Sequence, residues 1–112
     1  MRITEVESTD LFTGSTARPL QVVRVGVAAT EAAESGATVS VRLAGGSVET
    51  ATPTEVVLGE PGESRAGEVS VAVTGPAGVS LPVTVICETA GARVTSDATI
   101  VAAEPGWTMW MV

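Results

Sequence analysis

The sequence predicts an all-β protein, an immunoglobulin-like antiparallel β-sandwich of about seven strands. Three observations carry that expectation. The 112 residues include 19 Val and 15 Thr, and such β-branched side chains are stiff at χ1 and favour pleated surfaces over helices. Apolar and polar residues alternate in several short runs, the period-two pattern of strands buried on one face. Short segments rich in Gly and Pro separate these runs at close intervals. The length suits a single domain with one modest core.

In chain order, a first strand is expected over 2–7 and a second over 20–29. Ala37, Val39, Val41 and Leu43 alternate with Thr38, Ser40 and Arg42 to give a third. A fourth falls at 55–58. In the fifth, Val69, Val71 and Val73 stand against Ser70, Ala72 and Thr74. The sixth has the longest apolar face, Val79, Leu81, Val83, Val85 and Cys87, opposed by Ser80, Pro82, Thr84, Ile86 and Glu88. Pro82 has no N–H to donate, so that strand is an edge there or carries a bulge. The seventh covers 93–101. Turns are expected at Gly45-Gly46, Glu60-Pro61-Gly62, Gly75-Pro76-Ala77-Gly78 and Ala90-Gly91. The stretch 28–35, closed by Gly36, reads either as a single helical turn or as a loop. The Cys…Trp…Cys signature of antibody domains is missing, so the likeness to them is architectural only.

Composition excludes several function classes. There are 13 acidic residues against six basic, all of them Arg, for a net charge of −7, and there is no Lys, His, Tyr or Asn. Without His, the Ser-His-Asp and Cys-His arrangements, the H-E-x-x-H zinc sites and imidazole acid–base chemistry are all ruled out. A negative chain with scattered Arg matches the phosphate backbone poorly, so nucleic acid is not an expected partner. The start, Met1-Arg2-Ile3-Thr4-Glu5-Val6-Glu7, lacks the layout of a secretory signal. No apolar run approaches a membrane span. A cytoplasmic location without membrane contact is the expectation.

The remaining candidate chemistry is sparse. Cys87 is the only cysteine, so no intramolecular disulfide can form. Its place on an inward strand face makes it a small buried hydrophobe, and a nucleophile there would need a cation or base, for which only Arg93 is loosely available. The loop 59–68 gathers Glu60, Glu63 and Glu68 without the ligand spacing of a calcium loop, and reads as a solvated turn. No two carboxylates can be named as an opposed glycosidase pair. The aromatics are Phe12, Trp107 and Trp110, too few for a sugar-stacking platform. No catalytic residue, metal ligand or cofactor is therefore expected within this chain, and carbohydrate is expected to bind weakly if at all.

The end of the chain behaves differently. Glu104-Pro105-Gly106 is a linker signal, and Trp107-Thr108-Met109-Trp110-Met111-Val112 comes after it. From Met109 onward the run is apolar on both faces, as in a strand covered on both sides. The expected division is a β-sandwich accessory domain over 1–103, then a linker and the start of a truncated following domain over 104–112. Trp107, Met109 and Trp110 are the expected interdomain contacts.

This segment, 104–112, resembles the run that leads into the catalytic domain of actinobacterial alpha-mannosidases of glycoside hydrolase family 38. In that family a strand resembling 107–112 runs into a motif of the form H-x-H-x-D-P-x-W. The motif supplies a His and an Asp to a catalytic zinc, and an Asp elsewhere acts as nucleophile of a retaining mechanism. None of those residues is in this chain, so no catalytic role carries over. The resemblance implies a non-catalytic N-terminal domain that packs against the catalytic domain of the same chain, with zinc belonging to the parent enzyme. The alternative is a stand-alone carbohydrate-binding or surface-adhesion module of immunoglobulin-like form.

Overall fold

A computed structural model describes residues 1–105. Eight strands succeed one another, all paired antiparallel: β1 (Arg2–Gly14), β2 (Pro19–Ala28), β3 (Thr38–Ala44), β4 (Val48–Thr52), β5 (Thr54–Val57), β6 (Ser64–Val73), β7 (Ser80–Glu88) and β8 (Arg93–Val101). The strand order is β1-β2-β6-β4-β3-β7-β8, with β5 paired to β3. The halves β1-β2-β6-β4 and β3-β7-β8 correspond to the two sheets of an immunoglobulin-type sandwich. Here they join through β4 into one sheet that folds over on itself.

Each expected strand is present. The stretch 28–35 resolves into a single 3₁₀ turn over Ala32–Glu34. Two elements exceed the expectation and one is new. β1 runs on to Gly14 because its register shifts between Ser8 and Phe12, a bulge that breaks the alternation on which its first half was read. β6 begins at Ser64, so half of the expected 59–68 turn is strand. β4 is the new strand, and the reason it was invisible is structural. Only Val48 in it is buried, and its place is set by Thr50. That hydroxyl accepts from the Leu43 N–H at 2.8 Å and donates to the Leu43 carbonyl at 2.7 Å, replacing a ladder rung where β4 is shared between the sheets. Pro53 then ends β4, and β5 continues along β3 from Val41 to Thr38.

The core is almost wholly aliphatic. Val23, Val25 and Val27 of β2 face Val39, Val41 and Leu43 of β3, with Val69 and Val71 from β6, Val85 and Cys87 from β7 and Ile100 from β8 in the same cluster. Burying each such side chain is worth roughly 1.5–3 kcal/mol before ordering costs. Two glycines mark close approaches. The Thr4 and Ser64 hydroxyls bond at 2.6 Å across the face of Gly26, and Gly67 lets β5 lie against β6, since a Cβ there would stand 2.6 Å from Val56 Cγ2. Pro82 lies beyond Thr84, the last β7 residue paired with β3, so on that side it is at an edge and costs the ladder nothing.

The chain start is tied down as well. The Met1 ammonium donates to both Glu34 carboxylate oxygens at 2.7 Å and to Thr30 Oγ1 at 2.9 Å. The Thr30 and Glu31 backbone N–H groups donate to Glu34 Oε1. The ammonium first, then the Thr30 N–H, hold the Glu34 pKa at about 2, below its ordinary 4.5. A group lowered in this way stabilises the fold above its ordinary pKa, and loses that contribution as pH falls toward 2. Glu34→Gln should therefore melt below the parent at pH 7, and the gap should close between about pH 4.5 and 2 in a pH series of thermal melts.

Candidate functional site

The seam between β1 and β8 closes the fold, and the chain leaves the sandwich there. Its keystone is Gln21, the buried polar side chain of the core, 1% exposed. Residues 21, 23, 25 and 27 of β2 share the inward face, so β2's alternation aims this one amide into the interior among valines. Gln21 Nε2 donates to the Thr9 carbonyl at 3.0 Å and to the Val101 carbonyl at 2.8 Å, and Oε1 accepts from the Ala103 N–H at 3.1 Å. Both amide hydrogens are used. One side chain thus joins β1, β2, the end of β8 and the segment beyond it.

Neighbouring bonds reinforce the clamp. The Val101 N–H donates to Ser8 Oγ at 3.2 Å, and Thr9 Oγ1 donates to the Val22 carbonyl at 2.7 Å. Ala102 pairs with the β6–β7 connection, its N–H on the Val79 carbonyl at 3.0 Å and its carbonyl receiving the Gly78 N–H at 2.8 Å. Residues 101–103 therefore depart in a fixed position. Val79 and Val101, on opposite faces of the β7–β8 ribbon beside that exit, are 40% and 45% exposed.

Two shallow depressions share Ala44 and Gly45 at the same end of the sandwich. One of about 460 Å³ is lined by Arg42, Glu49, Thr50, Pro53 and Thr74 among others. The other, about 430 Å³, includes Pro82, Thr84, Asp97 and Thr99. Several of their polar groups are already engaged: Arg42 pairs with Glu88 at 3.2 Å, Thr50 with Leu43, and Asp97 Oδ1 receives the Thr84 hydroxyl at 3.4 Å. No aromatic side chain lines either depression.

The other sequence candidates separate in space. Cys87 is fully buried, and desolvation pushes its thiol up to about 11. Its β8 partner is Val94, while Arg93 pairs in register with Glu88. A thiol reagent should leave the folded protein untouched and titrate one equivalent only after denaturant is added. Glu63 binds Arg65 at 2.7 Å, and Glu68 faces Arg24 across β2–β6 at 3.6 Å, so the acids of 59–68 diverge. Among the described residues no three His, Cys, Asp or Glu side chains come together as a metal site. Phe12 is 3% exposed and offers no platform. Trp107, Met109 and Trp110 lie outside the described residues. Gln21 was not anticipated, although the inward parity of β2 contains the signal: one amide in an otherwise apolar register.

No protein-family model matches the chain, and no curated protein matches it. Among the described residues no helix is long and apolar enough to cross a membrane.

Proposed function

We propose that this chain is the non-catalytic N-terminal β-sandwich of a bacterial alpha-mannosidase of glycoside hydrolase family 38, docked on the catalytic domain that comes next in the same cytoplasmic protein. The observation that carries this reading is the clamp on 101–103, which gives the chain a fixed direction of departure. A neighbour docked in one place would start from such a fixed point. The resemblance of 104–112 to the family's entry strand supplies the identity of that neighbour. In this reading zinc and the nucleophile belong wholly to the catalytic domain, and the sandwich contributes contact surface. Trp107, Met109 and Trp110 mark the junction.

The test begins with the gene beyond codon 112. A strand ending in H-x-H-x-D-P-x-W within a few residues, and hydrolysis of an aryl alpha-mannoside by the longer protein with zinc bound, is the expected result. In that longer protein, loosening the clamp with Gln21→Leu should lower the melting temperature of the catalytic domain too. A stop codon or a second Val/Thr-rich repeat in that place removes the mannosidase reading. Chemical-shift changes on titrating mannose oligosaccharides into this chain would then favour a free-standing carbohydrate-binding module.

A further inference from the structure

The outer edge of β8 carries a second surface. The β7–β8 hairpin bonds Thr89 N–H to the Ala92 carbonyl, and alternation from that rung turns the backbone groups of residues 94, 96, 98 and 100 toward β7. The groups of 93, 95, 97, 99 and 101 consequently point outward. At Val101 they are taken by Ser8 and Gln21. At Arg93, Thr95, Asp97 and Thr99, all exposed, no described strand pairs with them. A run of outward N–H and carbonyl groups of this kind is a template for another strand. Of the usual protections it carries two charges of opposite sign, Arg93 and Asp97, while 93–99 contains no Pro, no Lys and no bulge.

The side chains on this edge decide what fits. Arg93 and Asp97 make no ion pair among the described residues. Four residues apart on one strand face, they stand equidistant from Thr95. If β8 meets its own copy antiparallel about a two-fold axis at Thr95, Arg93 lies opposite Asp97 of the second copy, and Asp97 opposite Arg93. Thr95 then faces Thr95. The same register brings outward backbone groups onto outward backbone groups, as an antiparallel ladder requires. A register centred on Asp97 instead sets two carboxylates against each other and asks for Val101 groups already in use. Centres at Val94 or Ser96 satisfy the hydrogen-bond parity as well, but only the Thr95 centre also sets Arg93 opposite Asp97, so the charges choose the register. We infer that a second copy of this chain pairs along β8, centred on Thr95, with reciprocal Arg93–Asp97 contacts, extending the β3-β7-β8 half-sheet across an isologous two-fold interface. This pairing requires no mannosidase domain and is independent of the proposed function.

Sedimentation equilibrium of the whole chain at physiological ionic strength tests this, with hydrogen exchange at low and high protein concentration. The expected result is a reversible dimer in which the outward amides of Arg93, Thr95 and Asp97 gain protection with concentration, while the inward amides of Val94 and Ser96 are protected throughout. Asp97→Arg and Arg93→Asp should each weaken dimerisation by at least about tenfold, since each sets like charges opposite. The double exchange R93D/D97R should restore the parental constant to within about threefold, because both cross-strand pairs re-form. Thr95→Pro removes an outward N–H and no β7 rung, so it should abolish the dimer while the far-ultraviolet spectrum and the burial of Cys87 persist. A monomer at every concentration overturns the inference. So does an association that ignores the charge exchange, or one that leaves the amides of 93–97 unprotected.

Discussion

Replacing Gln21 by Leu should lower the free energy of unfolding by about 3 kcal/mol, since two carbonyls and one N–H lose their partner in a buried place. For a domain of this size that is roughly 15 °C in melting temperature. Denaturant titration should show the midpoint falling with the slope unchanged, and the Ala103 amide should lose its exchange protection. A fall of less than about 1 kcal/mol would mean that the seam is held by β1–β8 packing and not by the amide. Gln21→Glu separates shape from charge. Its carboxylate would accept from Ala103 but face the Thr9 and Val101 carbonyls, so the charged form is disfavoured and the folded pKa rises. Such a group stabilises below its ordinary pKa and loses that contribution as pH rises through the raised one. The Glu variant should therefore recover part of its lost stability as pH falls from 7 toward 4, in contrast to the Leu variant.

Gly67→Ala should cost about 2 kcal/mol although the change improves strand propensity. The new methyl stands 2.6 Å from Val56 Cγ2 and 3.1 Å from Thr54 Cγ2, and a valine has one stiff χ1 with which to retreat. Shortening the opposing side chain should relieve the clash. Val56→Ala and Gly67→Ala together should be less damaging than the sum of the two by at least about 1 kcal/mol, a coupling that a double-mutant cycle measures directly. Additive effects would show that β5 swings away from β6 at little cost. Gly36 makes a contrasting control in space though not in backbone: a Cβ there meets nothing within 4 Å, and any cost of Gly36→Ala comes from its φ of +84°.

Alternation was most legible where burial follows it strand-long. β3 shows it in full, with Val39, Val41 and Leu43 inside and Ser40 and Arg42 between. The pattern fails where an element is held by something other than its own inward face. β4 has one buried residue and owes its position to the Thr50 hydroxyl, a partnership between residues on two strands that no periodicity encodes. The second half of β1 lies past a bulge, which shifts the parity of the residues after it. The candidate site divides in the same way. The inertness of Cys87 was readable from its neighbours Val83 and Val85. Gln21 was hidden because Gln is common on outward faces, and only the inward register of Val23, Val25 and Val27 shows that this one is not.

The strand path has one more consequence. Six antiparallel steps lead from β1 to β8, so these two outer strands run in the same sense. Met1 is bound beside Thr30, beyond the end of β2 at Ala28, and Ala103 is bound at Gln21. Seven residues of β2 separate those levels, about 23 Å at a strand's rise per residue. Tension between Met1 and Ala103 thus pulls the two outer strands lengthwise past each other. The bonds of Gln21 and Ser8 to Val101 and Ala103 then bear the load together in shear, where a hairpin pulled from one end would unzip rung by rung. The sandwich is built as a short strut with its chain entering and leaving at different heights, and its resistance to pulling is concentrated at one buried amide.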